Sequence, residues 1–202
     1  MRTRSLSPER GSMAPLAVAA VFVLIAALSF AVDQGIAYAA KARQENALDS
    51  ARSACMDASF ALAAKNAQDP GRQIAETVVR AVRAQGFLGR TTVWFYEAAS
   101  QEVPKAERLW AVGVQLEEEA ETVFARGFGL EGIPVASHKV IVARPYASEV
   151  AWRPQERLCG RYEVEAGQAA ASASFAQLDS AGEFPAEMAD AIREALADGE
   201  GQ

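Results

Sequence analysis

The hydrophobic pattern opens with a run that has no polar partner. From Gly11 to Val32 there are 22 residues and no charge. As a helix rising 1.5 Å per residue the run is roughly 33 Å long, enough to cross a hydrocarbon core of about 30 Å. Pro15 falls near the first turn, where its missing N–H costs little. Asp33, the first charge, does not end the helical pattern. Ala47/Leu48, Ala51, Ala54/Cys55, Ala58 and Leu62 recur at intervals of three and four, while Arg43, Glu45, Asp49, Arg52 and Asp57 take the other faces. The spacing predicts one helix from about Pro15 to Asn66, with Gly35 as its only weak point. Its lower part is apolar all round. Its upper part carries a narrow stripe, mostly alanine, that allows close approach of whatever covers it.

A second helix is signalled by DPGRQIAETVVRAVRAQGF. Asp69 can cap it, Pro70 suits its first position and Gly86 suits its stop, with Ile74, Val78 and Val82 as the buried face. The period then changes to two. Thr91–Ala98 is rich in β-branched and aromatic residues, and in ERLWAVGVQLEE the residues Trp110, Val112, Val114 and Leu116 face one way. ASQEVPK, with Pro104, reads as a hairpin connection between them. IPVASHKVIVARPY predicts a third strand and ERLCGRYEVEA a fourth, and sequential strands with short links predict an antiparallel meander. Gly167 to Gly182 has the Ala/Ser-rich composition of a linker. Met188, Ile192 and Leu196 mark a short, acidic, amphipathic helix within Pro185–Ala197, docked or frayed. The fold class expected is α+β: a long N-terminal helix, a second helix, and an antiparallel sheet of about four strands that covers the alanine stripe.

Charge gives this plan a direction. The net charge is −6, and Arg2, Arg4 and Arg10 against Glu9 put +2 before the apolar run, which leaves −8 after it. A domain that acidic lacks the basic footprint of a nucleic-acid binder and is repelled by anionic lipid. The far flank is neutral, since Asp33 and Glu45 cancel Lys41 and Arg43. The positive-inside rule therefore places the N-terminus in the cytoplasm and the bulk of the chain outside. Ala37–Ala39 resembles a signal-peptide cut site, but the apolar run exceeds the usual length of about 7–15 residues and ends well before it. The run is expected to stay attached. Cys55 and Cys159 are the two cysteines. An extracytoplasmic setting permits one bridge between them, which is expected; the alternative is two reduced thiols in a small core.

Reaction chemistry is hard to find. GFGLEG, with Gly127, Gly129 and Gly132, spells a dinucleotide-binding pattern, yet a strand with Pro134 near its start follows it where pyrophosphate binding needs a helix N-terminus. A glycine-rich turn is the reading. His138 is the one histidine, placed mid-strand with no second His or nearby Cys to complete a metal set. Glu117, Glu118, Glu119 and Glu121 read as a solvated loop after a strand, without the Asp/Asn spacing of a calcium loop. No catalytic, metal or cofactor site, no small-molecule substrate and no nucleic-acid partner is expected. Trp94, Trp110 and Trp152 would be the recognition surface of an alternative function, a membrane-anchored extracytoplasmic binding module.

Two segments together are similar to a known family. Gly11, Val32, Asp33, Gly35, Tyr38, Gln44, Asn46, Ala47, Asp49 and Ala51 fall where TadE/TadG-like proteins of the tight-adherence (Flp) pilus machinery carry a Gly, a Val-Asp-x-Gly…Tyr stretch and a Gln-x-Asn-Ala-x-Asp-x-Ala run. Thr122, Phe124, Ala125, Gly129, Ile133, Val135 and Ala143 match the family's strand, turn and strand. The resemblance implies a pilin-like, non-enzymatic, single-pass membrane subunit whose N-terminal helix packs with other pilus-assembly or pilin-like subunits. Its divisions would be a cytoplasmic N-terminus (1–10), a transmembrane helix (11–32), an extracytoplasmic pilin-like α+β domain (33–166), a linker (167–184) and an acidic helix with a tail (185–202). Processed family members are cut after a Gly with Glu as the fifth residue beyond it. Here Leu16 stands fifth after Gly11, which favours an uncut, TadG-like component. At this length, the further adhesive domain that such members often carry is not expected.

Overall fold

The computed structural model describes residues 13–57, 60, 63–64, 66–103, 108–144, 155–169, 174–178 and 183–199. Ala58, Leu62, Pro104, Trp152 and the first twelve residues, Gly11 among them, lie outside that description. Helix α1 spans Ala14–Cys55 with Pro15 in its first turn. Its apolar lower part faces outward, with Phe22 and Phe30 two-thirds exposed. Ser29, the polar residue in that part, returns its hydroxyl to Ile25 O at 2.7 Å, so the helix offers no unmet hydrogen bond on that side. This part of α1 is long and apolar enough to cross a membrane.

The helix stops earlier than the expected Asn66. Met56 caps it by donating its N–H to Arg52 O, and Asp57 Oδ1 then accepts from Phe60 N–H at 3.0 Å. An aspartate accepting three residues ahead is the signature of a new N-cap. Before that stop the stripe is as expected. Ala47, Leu48, Ala51 and Cys55 are buried, and the same face continues down through Gln44, Ala40 and Asp33.

Helix α2 spans Pro70–Ala84, and Asp69 accepts from Arg72 N–H at 2.9 Å. Gly86 follows with φ 78°, and Ile74, Val78 and Val82 are buried. Among the described residues five strands follow: β1 Arg90–Glu97, β2 Trp110–Glu121, β3 Gly132–Ala143, β4 Leu158–Val164 and β5 Ser174–Gln177. They form one antiparallel sheet in the order β3-β2-β1-β4-β5. Two expectations are corrected here. The meander ends at β3, because β4 crosses over to pair with the free edge of β1. Part of the expected linker is the fifth strand, with Phe175 packed 5.0 Å from Tyr162, ring centre to ring centre.

Both sheet faces are covered. On one, α1 and α2 pack on Val93, Phe95, Trp110, Val112, Val114 and Leu116, so the alternation in β2 points as its sequence implies. On the other, Trp94, Tyr96, Leu109 and Ala111 meet the last helix, α3, Ala186–Gly199. That helix docks through Met188 and Ile192, both buried. Gly113 gives it room, since a Cβ there would lie 2.8 Å from Met188 Sδ.

The two-faced packing separates the cysteines. Cys55 belongs to the cluster under α1 and α2, whereas Cys159 packs into the cluster under α3. Both are free thiols, so the expected bridge is not made. Cys159 pairs with Tyr96 across β1–β4, and cross-strand partners point to the same face. Burial pushes the Cys55 thiol up to about 12, and burial also raises that of Cys159. Alkylation of the unfolded chain without reductant is expected to add two adducts by mass; a species that takes none would show a bridge. At Ala51, where no side-chain surface is left exposed, leucine is expected to overpack the α1 contact and cost about 1–3 kcal/mol in denaturant unfolding of the detergent-solubilised chain.

Candidate functional site at the base of the long helix

The most specific polar arrangement lies where the apolar part of α1 ends. Asp33 is buried, and its carboxylate faces the turn between β2 and β3. Oδ1 accepts from Val123 N–H at 2.8 Å and from Phe124 N–H at 3.2 Å, and Oδ2 accepts from Ala125 N–H at 2.7 Å. These amides open the short 3-10 helix Ala125–Phe128. A carboxylate there meets the unpaired donors of a helix start. Burial alone would raise the Asp33 carboxyl, but the three N–H donors outweigh it and hold it below the ordinary aspartate range.

The turn is closed from within. Thr122, also buried, donates its hydroxyl to Leu130 O. Gly129 sits in the left-handed region at φ 85°, where its N–H returns to Ala125 O and Arg126 O. A side chain at that φ would be strained. The GFGLEG stretch is thus a turn leading into β3.

Above Asp33 the helix is fastened to the β2–β3 edge at a rising series of positions. Ile36, Ala37 and Ala40 pack on Ala120 and Val135. Arg43 pairs with Glu118 at 2.7 Å. Gln44, fully buried, donates to Val135 O at 3.1 Å and to Glu118 Oε1 at 3.3 Å. Asp49 pairs with Lys139 of β3, and that hydrogen bond, more than any other influence, lowers the Asp49 carboxyl. Glu117, Glu118, Glu119 and Glu121 are therefore strand residues, not the solvated loop expected: β2 runs on through Glu121, paired with β3.

The structure sorts the family-like positions into two groups. Asp33, Gln44, Asp49, Thr122, Phe124 and Gly129 converge on the α1–β2–β3 junction. Gly35, Tyr38 and Asn46 face outward from α1, and Tyr38 is 72% exposed. His138 is on β3 as expected, with Nε2 2.5 Å from Glu187 Oε2 of α3. Trp94 and Trp110 are core residues on opposite faces and offer no recognition surface. Among the described residues no group of three or more His, Cys, Asp and Glu is placed to hold a metal ion.

No protein-family model, curated protein or solved structure matches this chain.

One buried pair away from this junction had no sequence signal. Glu97 and Arg108 are both fully buried, and Arg108 Nη1 donates to Glu97 Oε1 at 2.9 Å. They flank the β1–β2 connection at the end of the sheet, and alternation sets Glu97 on the face of Val93 and Phe95. An acidic and a basic residue around a hairpin is too common a pattern to mark a buried pair.

Proposed function

We propose that the chain is a non-enzymatic, membrane-anchored structural or assembly subunit of a tight-adherence (TadE/TadG-like, Flp-type) pilus or related export apparatus. The observation that carries this reading is mechanical. One unbroken helix leaves an exposed apolar stretch and enters the domain, and the domain is bound to it from Asp33 upward. A helix built this way holds a head at a fixed height and orientation above a bilayer, which suits a subunit that docks beside others. The +2 flank before the apolar run supports a cytoplasmic N-terminus with the domain outside. The outward-facing Gly35, Tyr38 and Asn46, with the exposed apolar stretch below them, leave α1 surface available to neighbouring helices. The family resemblance adds the pilus context and a pilin-like role for the domain.

The test is deletion of the gene and complementation, scored by surface fibres or adherence, with membrane fractionation of the protein. Loss of fibres restored by the wild-type chain supports the reading. Normal fibres in the deletion strain would remove the assembly role. A mature terminus at Ser12 or Ala40 by mass spectrometry would remove the uncut anchor.

A further inference from the structure

The turn that Asp33 holds has an outer side as well. Val123 is 62%, Leu130 62% and Phe128 89% exposed. Between this turn and α1 runs an apolar groove of about 640 Å³, lined by Phe22, Ile25 and Phe30 of the helix and by Phe124, Phe128 and Leu130 of the turn. The position of the groove along α1 matters most. Phe22 to Phe30 is about 12 Å of helix axis, and all of it lies inside the uncharged run. A body packed beside that stretch shares its depth. We infer that the β2–β3 turn, Thr122–Glu131, is a second membrane contact, with its tip among the lipid acyl chains of the leaflet on the domain's side. The inference rests on the membrane-anchored reading above.

The backbone of the turn fits that setting. Irregular chain near hydrocarbon must satisfy its own amides, because no water is there to do so. The N–H groups of Thr122 through Ala125 go to Glu131 O and to the Asp33 carboxylate. Those of Gly127, Gly129 and Leu130 go to carbonyls within the turn. The Thr122 hydroxyl is also used internally. Seven of the turn's N–H groups are thus met from within the protein, as a setting without water requires. Arg126 is the one charged residue from Thr122 to Leu130. Its sign suits lipid phosphate, and its stem is long enough to reach from an apolar tip to the headgroups. The acidic surface of the rest of the domain does not oppose contact with zwitterionic lipid.

The full chain carrying Phe128→Trp, reconstituted in phosphatidylcholine vesicles with brominated acyl chains, tests this. The wild-type emission is subtracted, and Leu88→Trp is the control. Leu88 is 62% exposed and follows α2, whose end meets Ser50 through Gln85, far up α1. The tryptophan at 128 is expected to emit at shorter wavelength than that at 88 and to lose most of its added emission to the brominated lipid, while the control keeps its own. Solvent-like, unquenched emission from a chain that floats with the vesicles would overturn the turn contact and leave the anchor standing. A chain that does not float would overturn both. Blue-shifted but unquenched emission that varies with the number of chains per vesicle would put a second copy in the groove and overturn the lipid contact.

Discussion

Replacing Arg108 with methionine is expected to destabilise the domain by about 3–5 kcal/mol, the usual cost of removing one member of a buried ion pair. Glu97 and Arg108 are both fully out of water, 2.9 Å apart, so the variant leaves a carboxylate with no route to solvent at the end of the sheet. Methionine fills most of the lost volume, which keeps cavity formation from dominating the result. Pairing it with Glu97→Leu is expected to recover most of the loss, because two apolar residues can replace a buried ion pair at little cost. The measurement is denaturant unfolding of the detergent-solubilised chain, for wild type, both single variants and the double. A loss below about 1 kcal/mol in the single variant is what an exposed pair would give, and would mean that this one is solvated.

Asp33→Asn is expected to detach the turn without unfolding the sheet. The amide keeps one oxygen, so Val123 and Phe124 retain a weakened acceptor while Ala125 N–H meets an NH₂ group. Exchange of the amides at 123–125 is expected to rise about ten- to a hundred-fold, the scale of losing charge-assisted bonds, with protection in β1 and β2 unchanged. The effect of pH has a definite sign. A carboxyl held below its ordinary range contributes fully above that range, and the contribution fades as pH falls through its lowered value. Wild-type protection at the turn is therefore constant through neutral and mildly acid pH and drops below the ordinary aspartate range; the variant lacks that step. Hydrogen exchange followed by mass spectrometry at several pH values reads both. Equal protection in the two chains would show that the turn holds itself.

The elements with strong local periods were legible. The second helix announced its cap, its first proline and its terminal glycine within one stretch of sequence, and β2 alternated without a break. The end of α1 was not legible, because Arg52 to Asp57 contains no proline or glycine and the stop depends on Asp57 turning its carboxylate to Phe60. Strand β5 is four residues long and sits in small-residue sequence, so neither length nor alternation marks it. The cysteine error came from register. Which face Cys159 takes depends on its pairing with Tyr96, and a slip of one residue would reverse it. Asp33 and its turn are about ninety positions apart, so their meeting is a property of the tertiary fold; only the family resemblance drew attention to both.

The series of fastenings along α1 also bears on how the helix and the domain would move together. Asp33, Gln44 and Asp49 are bound to the β2–β3 unit over about 24 Å of axis. A crank gripped along that much of its shaft does not slip. A roll or tilt of the apolar segment would reach the sheet through that same grip, and a torque applied to the domain would return to the apolar segment the same way.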